Sequence, residues 1–270
     1  MGYILCRDAE AEHPYYVKEL SINIYSAYEL CYFIYHHSAL LGDDFPDEQL
    51  LRFIGSGCRM PDLERKLRKG QAEGEDAETL MMTILQDVHY YGERELRQIQ
   101  THLSRRRLLS GSEKVKQKAD YLLGKRRFQA ALNLYEKILK GEFGEVDDGL
   151  RGRIRYNSGI ALAGLFMFRD AAEALTEAYD LLGQENILRD LRFIYELDDT
   201  VPVRSDLLDQ VQPRVHMRWI EEIAQAKERA AGDTRVLKAR EALEKGAFSR
   251  REAVAALTDE WKTEYRGMFR

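Results

Sequence analysis

The chain has 270 residues, carries 41 Lys and Arg against 46 Asp and Glu, and has a formal net charge of −5. Its length allows one or two domains with a sizeable core, and its hydrophobic content of 44% is too high for a disordered protein. The acidic balance argues against a protein that coats nucleic acid, and three cysteines without CxxC spacing argue against a disulfide framework or a zinc knuckle. No stretch has the roughly 18 apolar residues of a membrane helix and the start lacks a signal-peptide pattern, so we expect a soluble cytoplasmic protein.

The N-terminal region is predicted to contain short strands and then a helix. Tyr3–Cys6 is short and apolar, and Tyr15–Tyr25 is rich in β-branched and aromatic residues, which favours two short strands. Ser26 with Glu29 three residues later forms a capping box that opens a helix. The spacing i, i+3, i+4, i+7 predicts the buried face of this helix: Leu30, Phe33, Ile34 and His37.

The region that follows is predicted to be helical throughout. Short helices are expected at 47–55 and 61–69, and Gly70–Glu75 reads as a polar break. Two further apolar stripes with helical spacing follow: Leu80, Ile84, Leu85 and Val88, and then Leu96, Ile99 and Leu103. Breaks spaced about 20 residues apart predict stacked antiparallel helix pairs.

Two segments in the middle of the chain repeat the same spacing of small and large residues. The first series is Ala119, Phe128, Ala131, Tyr135 and Ile138. The second series is Gly159, Phe168, Ala171, Leu175 and Ala178. A small residue on the first helix of a pair lets the second helix approach closely, and the aromatic residue fills the turn between them.

These segments, KADYLLGKRRFQAALNLYEKIL and YNSGIALAGLFMFRDAAEALTEAYDLL, resemble tetratricopeptide repeats. They depart from that family in lacking its early Trp and its final Pro, and they lie 40 residues apart rather than 34. The resemblance implies an all-α superhelix, a solenoid of helix pairs whose first helices line a concave surface for peptides or partner proteins. We expect an N-terminal helical module at 1–110 with an extended segment at 1–25, repeats at 111–200 and C-terminal helices at 201–270.

The resemblance also predicts which side chains line a partner-binding groove. Six residues are expected to project from the first helices of the two repeats: Lys116, Gln117, Asp120, Tyr156, Asn157 and Ile160. Lys116 and Asn157 match two positions of the clamp with which some family members hold a terminal carboxylate. Asp120 replaces an asparagine of that clamp and would repel a carboxylate, so a protein or peptide partner of another kind is favoured.

A basic stretch offers an alternative function. Between Arg94 and Arg127 there are eleven Lys and Arg, among them two triplets: Arg105, Arg106 and Arg107, and Lys125, Arg126 and Arg127. Such a stretch could track a phosphate backbone, which would make the protein a nucleic-acid-associated regulator. No helix-turn-helix, zinc-finger or RNP signature accompanies it, and most basic runs on helices are solvated faces.

No signature of an enzyme is present in the sequence. The six histidines form no HExxH or HxH pattern, and GxGxxG, GxxxxGK[ST] and GxSxG are absent. The His36–His37 pair and the buried-looking Cys31 are better explained as structural residues than as a metal site or a nucleophile. We therefore predict a non-enzymatic scaffold without metal or cofactor.

The last helix is predicted to open at Ser249 with Glu252 as its capping partner. It carries one apolar stripe: Val254, Leu257, Trp261, Tyr265 and Met268. This stripe is expected to pack within the chain, with self-association through the Trp261 helix as the alternative.

Overall fold

The computed structural model describes residues 10–202, 204–244 and 247–268. The chain divides into two compact units, residues 1–118 and residues 119–270. The described part is mostly helical, with fourteen α-helices and a single two-stranded sheet near the N-terminus. The predicted fold class is therefore confirmed, whereas the predicted division at 110 and 200 stays a prediction. No helix within these described residues combines the length and the apolar character that crossing a bilayer requires.

The sheet of the first unit is a small hairpin. Strands β1 (Tyr15–Val17) and β2 (Ile22–Ile24) pair antiparallel, with Tyr16 opposite Asn23. Both strands lie inside the single predicted segment 15–25, so that segment folds back on itself as a hairpin. The strand predicted at Tyr3–Cys6 lies outside the described residues.

Helix α1 (Ala27–His37) begins as the sequence predicts. The Ser26 side chain caps it by accepting a hydrogen bond from the Glu29 backbone nitrogen at 3.1 Å. The Glu29 carboxylate in turn accepts from the Tyr25 backbone nitrogen at 2.6 Å. The Glu29 amide, one of those that a helix start leaves without an intrahelical partner, is thereby satisfied, and the second bond fixes the residue before the cap.

The remaining helices of the first unit bury apolar side chains. Their bounds are α2 Glu48–Arg52, α3 Pro61–Ala72, α4 Ala77–Val88, α5 Glu93–Arg107 and α6 Gly111–Gly124, the last of which contains the boundary between the units. A 3₁₀ turn at Ser38–Leu40 follows α1, and a π-helical turn at Phe53–Gly57 extends α2. Fully buried core residues include Ile34, Leu50, Leu67, Met81 and Leu85.

The second unit consists of helices alone within its described residues. Their bounds are α7 Phe128–Leu139, α8 Asp148–Gly164, α9 Phe168–Leu182, α10 Glu185–Leu197, α11 Ser205–Leu208, α12 Pro213–Ala231, α13 Thr234–Glu244 and α14 Ala247–Met268. Helices α7, α8, α9 and α10 pack in sequence, each against the next. Helices α11, α12 and α13 lie within the segment 201–270, where C-terminal helices are predicted.

The 40-residue repeat of the sequence is also a repeat of backbone geometry. The turn between α6 and α7 places Arg126 at φ 59°, and the turn between α8 and α9 places Phe166, 40 residues later, at φ 62°. Each turn closes with the same backbone hydrogen bond at 2.9 Å: Arg127 N to Leu122 O, and Met167 N to Leu162 O. This pairing across a left-handed residue ends a helix with its last carbonyl groups satisfied. The two helix pairs therefore turn in the same way.

The small residues of the repeat permit close helix packing. A Cβ added at Gly159 of α8 would lie 2.7 Å from the Leu175 Cγ atom and 3.2 Å from the Ala171 carbonyl oxygen of α9. Gly152 lies seven residues earlier, about two turns along the same face of α8. A Cβ added there would lie 2.6 Å from the Leu182 Cγ atom of α9. Glycine at these two positions thus sets the distance between α8 and α9.

The C-terminal stripe is only partly buried. Met268 is buried in a cluster with Phe128 and Leu165, whereas Trp261 and Val254 each remain 47% exposed and Tyr265 remains 39% exposed. The expectation that the chain itself covers the whole stripe is therefore wrong for these three residues, and self-association through this helix stays a prediction. Helix α14 begins at Ala247, so Ser249 lies inside its first turn rather than at its cap.

Candidate functional site: the row on helices α6, α8 and α10

The Asp120 carboxylate joins the two helices of the first repeat, α6 and α7, to the first helix of the second repeat, α8. The Asp120 Oδ1 atom on α6 accepts hydrogen bonds from the Tyr135 hydroxyl on α7 and from the Asn157 side-chain nitrogen on α8, both at 2.7 Å. Tyr135 is fully buried. Burial, together with the charge of Asp120, raises the pKa of the Tyr135 hydroxyl, which keeps it protonated as a donor.

A second bond of the same kind joins α8 to α10. The Tyr156 hydroxyl donates to the Asp190 Oδ2 atom at 2.7 Å, while the Asp190 Oδ1 atom accepts from the neighbouring Arg189 guanidinium at 3.0 Å. Burial and the hydrogen bond to Asp190 raise the pKa of Tyr156 to about 12. The Arg189 guanidinium also lies over the Phe193 ring, 5.9 Å from its centroid.

These bonds place five half-buried residues side by side on three helices, and we call them the inner row: Asp120, Tyr156, Asn157, Ile160 and Asp190. Ile160 follows Tyr156 by one helical turn and therefore lies on the same face of α8. Four of the six predicted groove residues belong to the inner row. Lys116 and Gln117 lie half-buried on the part of α6 that belongs to the first unit.

Sequence reasoning missed Asp190. The helix after the second repeat has no recognisable repeat pattern, so its polar residues were not assigned to the groove. The signal that could have found it is the apolar stripe Leu188, Leu191 and Tyr195, which buries one face of α10 and leaves Asp190 beside it.

The chemistry of the inner row differs from that of a carboxylate clamp. Two carboxylates, Asp120 and Asp190, lie on the row, and the Asn157 amide already donates to one of them. A terminal carboxylate of a partner would therefore meet negative charge instead of free donors. A segment that brings hydrogen-bond donors or a positive charge fits this surface better.

Replacing a tyrosine with phenylalanine at two positions, Tyr135 and Tyr91, tests whether the hydrogen bond to Asp120 stabilises the fold. The Tyr91 hydroxyl oxygen is buried and, among the described residues, finds no hydrogen-bond partner. We expect Tyr135→Phe to lower the free energy of unfolding by about 1–3 kcal/mol, because Asp120 loses a buried donor. Tyr91→Phe should leave it unchanged or raise it by about 1 kcal/mol, since it removes an unsatisfied group. Urea unfolding of both variants decides this; equal losses would show that the Asp120 bond adds nothing beyond packing.

The first basic triplet is divided between core and surface. Arg106 and Glu78 form an ion pair whose side chains are 2% and 1% exposed, and Arg106 also donates to the Leu41 carbonyl oxygen. Arg107 is half-exposed and pairs with Asp76 at 2.7 Å. Arg106 is therefore unavailable to a phosphate, although it was predicted to belong to the basic patch.

The other basic residues are more accessible. Arg105, Lys125 and Arg126 are exposed, and Arg127 is half-buried. The Lys125 ammonium lies over the Tyr121 ring at 5.5 Å from its centroid. The triplets belong to different units, with residues 105–107 in the first and residues 125–127 in the second.

His36 and Cys31, the residues weighed as a metal ligand and a nucleophile, both pack against other side chains. His36 packs on the Tyr32 ring with centroids 4.3 Å apart, and the described residues include no cluster of three His, Cys, Asp or Glu suited to a metal ion. Cys31 is fully buried, and burial raises the pKa of its thiol to about 12, so the thiolate does not form at neutral pH.

Comparison of the chain with protein-family models, with curated proteins and with solved structures gives no match. The resemblance to tetratricopeptide repeats therefore stands on the spacing of its residues.

Proposed function

We propose that this protein is a non-enzymatic adaptor that binds an extended segment of a partner protein along the inner row. The observation that carries the proposal is the pair of bonds Asp120–Asn157 and Tyr156–Asp190, which hold α6, α8 and α10 side by side. Helices joined in this way offer a continuous, half-buried surface rather than three separate ridges. A preorganised surface of this kind reduces the entropy lost when an extended segment binds.

The inner row suggests what the partner segment carries. Asp120 and Asp190 favour amide or cationic donors, and Ile160 on α8 offers an apolar contact between them. Apolar contacts supply most of the affinity of such surfaces, while the polar residues fix the register of the bound segment.

Ile160 is the residue with which to test the proposal. It appears in none of the hydrogen bonds that hold the row, whereas Tyr156 and Asn157 each carry a bond between helices. Replacing Tyr156 and Asn157 would therefore confuse loss of binding with loss of fold. We expect Ile160→Glu to abolish partner binding, because it buries a third carboxylate in the contact.

Asn133→Glu provides the matched control. Asn133 is exposed on α7, outside the row, and its side-chain oxygen accepts from Gln129 at 3.1 Å, as a glutamate oxygen also would. Both variants and the natural chain are used to capture partners from a nuclease-treated lysate, with circular dichroism to verify folding. A partner retained by Asn133→Glu and lost by Ile160→Glu supports the proposal. A partner retained by both places the contact elsewhere.

The salt dependence of binding distinguishes the nucleic-acid alternative from binding at the inner row. Binding to phosphates through Arg105, Lys125 and Arg126 should weaken steeply between low and moderate ionic strength, because each contact releases a counterion. Binding at the inner row should change little over that range. Capture that depends on intact nucleic acid would favour the alternative.

A further inference from the structure

Helix α1 has a second aromatic face opposite to the one buried in the core. Tyr28, Tyr32, Tyr35 and His36 follow the spacing i, i+4, i+7 and i+8, so they share the outer side of the helix. The Tyr32 and His36 rings lie 4.3 Å apart and the Tyr35 and His36 rings 5.0 Å apart. Tyr32 is 51% exposed, although aromatic side chains bury most of their area in folded proteins.

Two tyrosines from another part of the chain extend this surface. Helix α4 ends at His89 in the left-handed conformation, with φ 56°, and this turn directs Tyr90 and Tyr91 toward α1. Tyr90 packs on Tyr28 at 5.3 Å between ring centroids, and Tyr91 packs on Tyr35 at 4.5 Å. A non-glycine residue in this region costs about 1–2 kcal/mol, so the surrounding fold holds the two rings in place.

We call these six residues the tyrosine face: Tyr28, Tyr32, Tyr35, His36, Tyr90 and Tyr91. The hydroxyl groups of Tyr28, Tyr32 and Tyr90 make no hydrogen bond to any described residue, and Tyr35 donates to Gln98 at 3.2 Å. Rings packed on one another with free hydroxyl groups at their edges offer contact area and donors at little entropic cost. Tyrosine-rich surfaces of this kind are typical of protein recognition sites.

The charge around the tyrosine face selects the kind of partner. The two chain segments that supply its rings, residues 19–51 and 70–93, contain no Lys and no Arg, although the exposed Arg94 directly follows the second segment, three residues after Tyr91. Glu29 is exposed on α1 between Tyr28 and Tyr32. Aromatic surfaces that stack nucleobases are accompanied by cationic side chains for the phosphates, which these two segments do not supply. A neutral or cationic segment is complementary to this face.

We propose that the tyrosine face binds an extended proline-rich segment that carries a basic residue. Such a segment forms a polyproline II helix whose carbonyl groups have no internal partners, so they can accept from the free tyrosine hydroxyl groups. Seven residues of α1 separate Tyr28 from Tyr35, which is about 10 Å along the helix, and one polyproline turn is about 9 Å. The rings can therefore contact successive turns, while Glu29 pairs with the basic residue.

The test is isothermal titration calorimetry of the full chain with a polyproline peptide that carries one central arginine. We expect saturable binding, weakened at least about tenfold by Tyr32→Ala. Tyr16→Ala is the matched control, because Tyr16 is 49% exposed on β1 and lies outside the tyrosine face. Unchanged affinity in Tyr16→Ala supports the assignment, whereas equal losses in the two variants overturn it, as does the absence of binding to the natural chain.

Two further measurements test separately whether the basic residue and the prolines of the peptide are recognised. Glu29→Gln keeps an acceptor for the Tyr25 amide, so we expect it to weaken binding of the arginine peptide and to leave an all-proline peptide unaffected. A peptide with glycine and serine in place of proline should bind much more weakly, and equal binding would overturn the polyproline assignment. Binding of a single-stranded oligouridylate that is lost in Tyr32→Ala would identify nucleic acid as the ligand and overturn the proposal.

Discussion

Replacing Arg106 with methionine is expected to lower the free energy of unfolding by about 3–5 kcal/mol. The substitution leaves the Glu78 carboxylate fully buried, with the Lys114 ammonium at 3.4 Å as its remaining cation. It also leaves the Leu41 carbonyl oxygen without the guanidinium that donates to it. A buried carboxylate that loses the nearer of its two cations, together with a buried carbonyl group that loses its donor, is strongly destabilising.

Two further variants distinguish the buried charge from a loss of packing. Arg106→Met combined with Glu78→Leu removes both charges, and we expect it to recover most of the stability, because the Glu78 Oε2 and Arg106 Nε atoms have no partners in the described structure. Arg107→Met should cost no more than about 1 kcal/mol, since its ion pair with Asp76 is exposed. Urea unfolding followed by circular dichroism measures all three. A double variant as unstable as Arg106→Met would show that the side-chain volume, not the charge, stabilises this site.

The burial of Arg106 was predictable from the sequence. Ile99 and Leu103 define the buried stripe of α5, and Arg106 continues it at the next i+3 position. A run of three arginines reads as one surface only if the rotation of about 100° per helical residue is ignored. Residue type favoured the surface, whereas helical geometry placed one of the three in the core.

The tyrosine face could not be predicted from the periodicity of the sequence. The apolar stripe of Leu30, Phe33 and Ile34 identified the buried side of α1, and the tyrosines on the other side carried no expectation of a cluster. The contribution of Tyr90 and Tyr91 depends on the left-handed turn at His89, a position that glycine or asparagine usually occupies. Contacts between segments that are distant along the chain depend on tertiary packing, which a single sequence does not specify.

The inner row was predicted more completely because it rests on a repeat. The 40-residue offset placed Asp120, Tyr156 and Asn157 on first helices, and the structure brings them onto one surface. Their hydrogen bonds were not predictable, since spacing fixes the face of a helix but not which polar groups meet. Residues predicted to line the groove therefore also hold the helices together, which is why Ile160 makes the cleaner test.

Replacing Gly159 with alanine is expected to lower the free energy of unfolding by about 2–3 kcal/mol. In a helix interior this change would otherwise stabilise by about 0.5–1 kcal/mol, because alanine restricts the unfolded chain. Here the new methyl group would lie 2.7 Å from the Leu175 Cγ atom and 3.2 Å from the Ala171 carbonyl oxygen. The leucine can shift its side chain, but a backbone oxygen moves only if α9 moves with it. The clash therefore outweighs the helix preference.

Gly124→Ala is the control for this prediction, because a Cβ at the end of α6 meets no atom within 4 Å and should be neutral or slightly stabilising. Trp219 and Trp261 both lie in the second unit, so tryptophan fluorescence during urea unfolding follows the unit that contains Gly159. Combining Gly159→Ala with Leu175→Ala should cost less than the sum of the two single changes, since the smaller side chain makes room for the methyl group.

The outcome bears on the repeat itself. Ala119 occupies the position 40 residues before Gly159, and it is fully buried with its methyl group accommodated. If Gly159→Ala has the same free energy of unfolding as the natural chain, residue 159 does not set the distance between α8 and α9. Close helix packing would then not explain why both segments have a small residue at this position. If it destabilises as expected, the residue at position 159 sets the distance between α8 and α9, as the close approach of Leu175 and Ala171 indicates.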